Sequence, residues 1–358
     1  MQDRRVLLFY VHALSGGGAE RVIARLASGF AARGDRVLLA VDHEADAWRT
    51  SLDPAVELVL LPKGHLRSVG ALARLLRREE PKVSFSALSA ANLKHVVAAL
   101  LAGRARRAII SYHGFFQNEP ERLSRLGFLL SPALSRLVGA SVAVSEALRK
   151  NLIEKFWFPP TRVVTIYNPA APEPPHPPLD PAALAAREPL VVAMGRLVEE
   201  KGFRFLVRAF ARVAHPQARL VILGKGPQRE ALEREAQRLG VAERLALPGY
   251  TDPDSYLERA RCFVSPSYHE SFGLAIVEAL DSGLAVVATR SGGPQEIIDS
   301  EAAGRLVPVG DEMRMAAAIS ASLEAPGDPA PRQRRAAAFS HATAMERYEG
   351  LFREVGGG

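Results

Sequence analysis

The chain has 358 residues, 48% of them hydrophobic and 24% charged: too long for one ordinary domain, and a good fit for two α/β domains that each bury a core. The net charge of +7 is unevenly spread, since residues 1–170 hold 24 basic against 14 acidic side chains while the remainder stands at −3. An anionic partner is therefore expected for the first half only, the other reading being an arginine-rich solvated surface. The lone Cys262 excludes an intrachain disulfide and, with no export signal read, suggests a reducing, cytoplasmic setting.

In chain order, RVLLFYV (5–11) runs into a glycine turn and reads as a first strand, not as a signal peptide. A helix from about Glu20 to Arg33 and the strand RVLLAV (36–41) follow, then strands at KVSFS (82–86), RAIISY (107–112), ASVAVS (140–145) and RVVTIY (162–167). Prolines crowd residues 168–189, NPAAPEPPHPPLDPAALAAREP. Proline removes backbone donors and restricts φ, so this stretch predicts a linker and not part of a core.

The second half repeats the theme with PLVVAMG, ARLVILG, RLALPGY, CFVSPS, LAVVATR and GRLVPV, and FSHATAMERYEGLFREV (339–355) predicts one more amphipathic helix. Short apolar runs alternating with amphipathic segments imply βαβ units, hence two doubly wound, Rossmann-like parallel-sheet domains. The expected boundaries are 1–170, a linker at 171–189, and 190–338. In such sheets ligands lie beyond the carboxyl ends of the strands, which favours the cleft between domains. No run approaches the roughly 18–20 apolar residues of a spanning helix.

Several strand-end loops carry glycine or charge. LSGGGAER places the amides of Gly17 and Gly18 where a helix N-terminus could face an anion, or where a tight turn lets helix and strand pack. LGKGPQRE, with Gly224 and Gly226, permits close backbone approach in the same two senses. MGRLVEEKG puts Arg196 and Lys201 just after a strand, where two cations could hold a pyrophosphate. In HESFGLAIVE (269–278), a helix starting near Phe272 leaves Glu270 in a loop beside the amides of Phe272, Gly273 and Leu274. Glu278 then lies nearly two turns in, and eight residues at about 100° each would set the glutamates about 80° apart even on one helix, so they are not an acid and base pair.

HESFGLAIVE resembles the E-x7-E motif of retaining glycosyltransferases of the GT-B fold, the glycosyl transferase group 1 family. GGGAERV, YHG (112–114), VSEALRKNL, IYNP, GRLVEEKG, LGKGP and SGGPQEII follow in that family's order. The resemblance implies that Arg196 and Lys201 grip the donor diphosphate, Glu278 the ribose hydroxyls, and Glu270 the transferred sugar. It implies that amides from Phe272 to Leu274 bind phosphate or sugar oxygens, and that Gly17 and Gly18 close over the diphosphate. His113 matches the histidine at the donor sugar, and helix 339–355 the segment that completes the N-terminal domain. Ala275 and Ala285 stand where many relatives have proline, a departure expected to affect packing more than chemistry.

The expected activity is transfer of a sugar from a nucleotide diphosphate sugar, with uridine as the family's commonest base and the base contact placed near Leu247–Tyr250. No metal or other cofactor is expected: Asp252 in DPD reads as the N-cap of a helix that begins with proline. For the acceptor, RLSRLGFLLSPALSRLVG (122–139) mixes arginines with leucines. It is either a packed helix with arginines at its rim or a surface for anionic lipid, the latter pointing to a lipid-linked saccharide or glycolipid and a peripheral place at the inner face of the cytoplasmic membrane. A nucleotide-sugar epimerase of similar fold and a non-catalytic nucleotide-sugar-binding subunit are the competing readings. Nucleic-acid binding is not expected, because the basic residues are not interleaved with aromatics.

Overall fold

A computed structural model describes residues 4–15, 17–43, 52–118 and 122–357, so Gly16 of the first glycine turn lies outside the described residues. The chain divides into two units, Met1–Pro169 with His341–Gly358, and Ala170–Ser340.

The first unit runs β1 (Val6–Val11), α1 (Gly18–Ala32), β2 (Arg36–Val41), β3 (Glu57–Leu60), α2 (His65–Glu79), β4 (Val83–Ala87), α3 (Ser89–Leu101), β5 (Ala108–Tyr112), α4 (Arg122–Leu137), β6 (Ala140–Ala143), α5 (Glu146–Phe156) and β7 (Val163–Thr165). Its sheet has the order β3-β2-β1-β4-β5-β6-β7, parallel throughout, with Leu7 opposite Val37 on one side and Val83 on the other. Central strands are covered on both faces, which is why they read as unbroken apolar runs. Among the strands of the described residues, only β3 escaped the sequence pattern. It is an edge strand with no fully buried residue, so its side chains need not alternate.

The second unit continues with α6 (Pro181–Ala186), β8 (Leu190–Met194), α7 (Phe203–Phe210), β9 (Arg219–Leu223), α8 (Arg229–Arg238), β10 (Leu245–Gly249), α9 (Asp254–Leu257), β11 (Cys262–Ser265), α10 (Leu274–Asp281), β12 (Ala285–Thr289), α11 (Pro294–Ile297), β13 (Arg305–Val307), α12 (Glu312–Glu324) and α13 (Ala330–Ala337). Its parallel sheet has the order β10-β9-β8-β11-β12-β13. Phe203, Phe210, Ile222, Met315 and Ile319 belong to one buried cluster beneath it.

The proline-rich stretch differs from the expectation of a linker, because it packs as part of this unit. The Asp180 carboxylate accepts the Ala182 and Ala183 amides and Pro181 opens α6, a favourable N-cap and first helical residue. Leu184 is buried, and the His176 amide and Nδ1 both reach the Asp281 carboxylate, at 2.9 and 2.7 Å.

The last helix, α14 (His341–Gly356), returns to the first unit. Phe352 stacks on Phe30 at 4.9 Å and lies 6.0 Å from Phe85. Arg5 clamps Asp35 and Glu349 together, at 2.7 Å each. Each aromatic ring removed from water here stabilises the unit by about 1.5–3 kcal/mol.

The same unit buries a charged group at the ends of β1 and β2. The Asp42 Oδ2 accepts Tyr10 Oη at 2.8 Å, His12 Nδ1 at 2.8 Å and Lys94 Nζ at 2.7 Å. Burial alone would raise the Asp42 pKa; the bonds from His12, Lys94 and Tyr10 outweigh it and hold the carboxyl far below its ordinary range. No helix among the described residues is long and apolar enough to cross a membrane.

Candidate active site

In both sheets the strand order reverses beside the first strand, between β1 and β4 and between β8 and β11. A crevice opens outside the carboxyl ends of the strands at such a point. In the second unit the two flanking loops are the one after β8, with Arg196 and Lys201, and the one after β11, with Glu270.

Backbone contacts latch these loops. The Tyr268 amide donates to the Glu200 carbonyl at 2.8 Å. Gly202 follows Lys201 at φ +67°, and a Cβ there would collide with the Pro266 carbonyl, so only glycine fits. The consequence is a direct ion pair: Lys201 Nζ lies 2.6 Å from Glu270 Oε2, which also accepts Ser267 Oγ at 3.3 Å. Arg196 is not brought into that pair. It is exposed and bonds Glu200 at 2.8 Å.

Gly224 and Gly226 do make the close backbone approach expected of them, and the partner is the loop after β8. A Cβ on Gly224 would collide with the Gly195 carbonyl, and one on Gly226 would crowd the Leu197 carbonyl. They shape the crevice by letting two loops touch. In β10 Leu247 is buried, and just beyond that strand Tyr250 is exposed.

The helix after Glu270 starts at Leu274, two residues later than expected, because Gly273 adopts a left-handed conformation (φ +109°) and occupies the N-cap. Glu278 is therefore only a little over one turn into α10 and half-buried, on a different element from Glu270 in the loop. The first-turn amides of a helix lack intrahelical partners and carry its positive end, so Gly273 and Leu274 sit where an anion would be held. Phe272 is buried and packs edge-on against Phe339 at 5.5 Å. Asp252 also differs from expectation: Pro253 is the N-cap of α9, and Asp252 Oδ1 is 3.4 Å from the Asp254 amide, too long for a good cap. Among the described residues no group of three or more His, Cys, Asp or Glu is gathered as metal ligands.

In the first unit His113 follows β5, with Nε2 2.8 Å from Ser111 Oγ. Burial pushes its pKa down to about 4, so the imidazole is neutral near pH 7. Gly17 is the N-cap of α1 and Gly18 its first residue. The Gly17 amide donates to Glu20 Oε2 at 3.1 Å, and Ser15 Oγ holds the same carboxylate at 2.9 and 3.0 Å. The anion at this helix start is thus the protein's own Glu20. Sequence reasoning passed over Glu20, although a glutamate three residues after an N-cap is a capping-box spacing.

Residues 180–340 match the family model for glycosyl transferases group 1, and residues 16–173 match that for glycosyltransferase family 4. The chain is 30% identical over 323 residues to the lipopolysaccharide core biosynthesis glycosyltransferase LpsE of Rhizobium meliloti (strain 1021), spanning 87% of this chain and 86% of that protein. It is 25% identical over 336 residues, 88% of this chain and 89% of the other, to the Campylobacter jejuni N-acetylgalactosamine-N,N'-diacetylbacillosaminyl-diphospho-undecaprenol 4-alpha-N-acetylgalactosaminyltransferase. Among solved structures it is similar to Anabaena HepE in complex with UDP and glucose, with a TM-score of 0.81 at 20% identity over 97% of this chain and 99% of that one. Two family models that together span both sheets, and a relative alike along most of its length, place this chain among the group 1 glycosyltransferases, with the GT-B fold.

Proposed function

We propose that the protein moves a sugar from a UDP-sugar to a lipid-linked saccharide or glycolipid of the cell envelope, with retention of anomeric configuration and without a metal. The observation that carries this reading is the Lys201–Glu270 pair at the reversal point of the second sheet. When the sugar leaves, charge develops on the diphosphate. Lys201 and Arg196 offset it, the role a metal ion has elsewhere, and the α10 N-terminus adds its partial charge.

Retention by two displacements would need a carboxylate nucleophile beneath the anomeric carbon. Glu270 is bonded to Lys201 and Ser267 instead, which suits it to orient the sugar. Departure and attack on the same face, with the leaving phosphate taking the acceptor proton, fit that arrangement. Neutral His113 contributes a hydrogen bond to the sugar, and Glu278 holds the ribose. Uridine is supported by the nucleotide in the HepE complex. A cell-envelope acceptor is supported by the names of the LpsE and Campylobacter relatives, the latter acting on a diphospho-undecaprenol saccharide.

The test is incubation with UDP-, GDP- and ADP-sugars, with core-truncated lipopolysaccharide as acceptor. UDP-sugars are expected to raise the unfolding midpoint most and to give a product whose anomeric proton keeps the donor's configuration. An inverted product, or release of an altered nucleotide sugar with no acceptor modified, would replace the proposal.

The acceptor reading has its own support in α4. Gly127, Phe128, Ser131, Leu134 and Ser135 are buried, and α4 packs on α3. Its other face presents Leu126, Leu129, Leu130 and Leu137 to solvent, Leu129 at 57%, among exposed Arg122, Arg125 and Arg136. Arg136 bonds the carbonyl of Trp157, itself 75% exposed. Leucines, a tryptophan and arginines on one outward surface suit the headgroup boundary of an anionic bilayer, at the inner face of the cytoplasmic membrane. Vesicles rich in phosphatidylglycerol should sediment the protein at low salt, and Leu129→Glu with Leu130→Glu should cut binding at least about tenfold. Equal binding by the double variant would sink the assignment.

A further inference from the structure

The amino edge of the second sheet, opposite the Lys201 and Glu270 end, holds a cavity of about 180 Å³ at the starts of β12 and β13 and under the turn after α12. Arg332 of α13 and Arg305 of β13 both line it. Arg332 is 7% exposed. Its guanidinium donates to the carbonyls of Gly283, at 3.0 Å, and Pro326, while Nε–H is buried without a partner.

Among the described residues no carboxylate forms an ion pair with Arg332, and Asp328 acts on it only through its charge. A buried cation without an opposite charge is costly by several kcal/mol, and its desolvation is the main influence lowering the Arg332 pKa, with Arg305 acting in the same direction. Cys262 cannot balance it, since burial pushes that thiol up to about 12 and keeps it uncharged near pH 7. Asp328 and Glu301 also line the cavity. Asp328 attracts Arg332 from beyond ion-pair distance, and its Oδ1 accepts the Ala330 amide at 2.9 Å; Glu301 is exposed. Neither covers the inner guanidinium.

We propose that this cavity binds a small oxyanion of phosphate size, which accepts Arg332 Nε–H from inside and the Arg305 guanidinium from the rim. Charge-assisted bonds to two arginines are among the strongest available to such an ion. Its volume suits so small an ion, being below the roughly 300–1,000 Å³ of pockets for drug-sized molecules. The site is separate from sugar transfer, yet Arg332 grips Gly283, which lies just past the end of α10, and α10 carries Glu278.

The test is titration with inorganic phosphate, and with sulfate, against chloride of equal ionic strength, reading the unfolding midpoint and the heat of binding. The wild-type protein and Lys201→Ala, which removes a cation from the candidate donor site, are both expected to be stabilised beyond chloride. Arg305→Glu, a change at an exposed position, is expected to lower phosphate affinity at least about tenfold. Arg332→Gln should abolish binding if it folds, and the Arg305 variant decides if it does not. No stabilisation beyond chloride, an effect untouched by Arg305→Glu, or one lost in Lys201→Ala would overturn the site.

Discussion

Lys201→Ala and Glu270→Ala should each lower sugar transfer by at least about 100-fold, close to 2.7 kcal/mol of transition-state stabilisation, while circular dichroism shows a folded protein. The two side chains form one unit, 2.6 Å apart in the loops beyond β8 and β11 and partly open to solvent. Effects within such a unit are not additive. The double variant is therefore expected to lose about as much as either single one. Donor affinity should separate them: Lys201→Ala weakens binding of the nucleotide diphosphate itself, whereas Glu270→Ala weakens the nucleotide sugar and leaves the bare diphosphate nearly unaffected. Near wild-type turnover in either single variant would remove this pair from the mechanism.

The largest expected loss of stability follows from Lys94→Ala. Lys94 and Asp42 are 7% and 5% exposed, and removing one member of a buried pair leaves the other uncompensated, at about 3–5 kcal/mol. Replacing both, as in Lys94→Met with Asp42→Asn, should recover most of that loss, because no charge remains to be desolvated. The pair also sets a pH dependence. Asp42 is held far below its ordinary pKa in the folded protein, so its contribution is fully present above the unfolded value of about 3.9, starts to decline as pH drops below that value, and is lost only as pH falls through the much lower folded value. Urea midpoints of wild type and Asp42→Asn should accordingly differ at pH 7, and the gap should begin to narrow below about pH 4. A gap that stays constant to pH 3 would show that the carboxylate's charge is not what stabilises this site.

Most of the fold could be read from the chain because strands covered on both faces are continuous apolar runs, as in Val6–Val11 and Ala285–Thr289. What escaped was set by contacts distant in sequence. Glu57–Leu60 forms a strand because β2 offers it an edge, not because its own side chains alternate. The proline-rich stretch reads as a spacer until Asp281 and Gln333 are seen to hold His176 and Leu179. At the candidate site, Lys201 and Glu270 are 69 residues apart, and their meeting depends on a glycine contact across two loops. Glu20 and Arg332 look like ordinary surface charges in sequence; only the fold shows one at a helix start and the other enclosed.

The return of α14 to the first unit has a bearing on how the molecule is made. Residues 1–169 emerge first, yet Phe9, Phe30 and Phe85 pack against Phe352, near the other end of the chain. The second unit, contiguous from 170 to 340, can close as soon as it leaves the ribosome. Of these two units the one synthesised first keeps Phe9, Phe30 and Phe85 without their α14 partner until that helix follows the second unit, and during that interval it is the one in greater need of a chaperone.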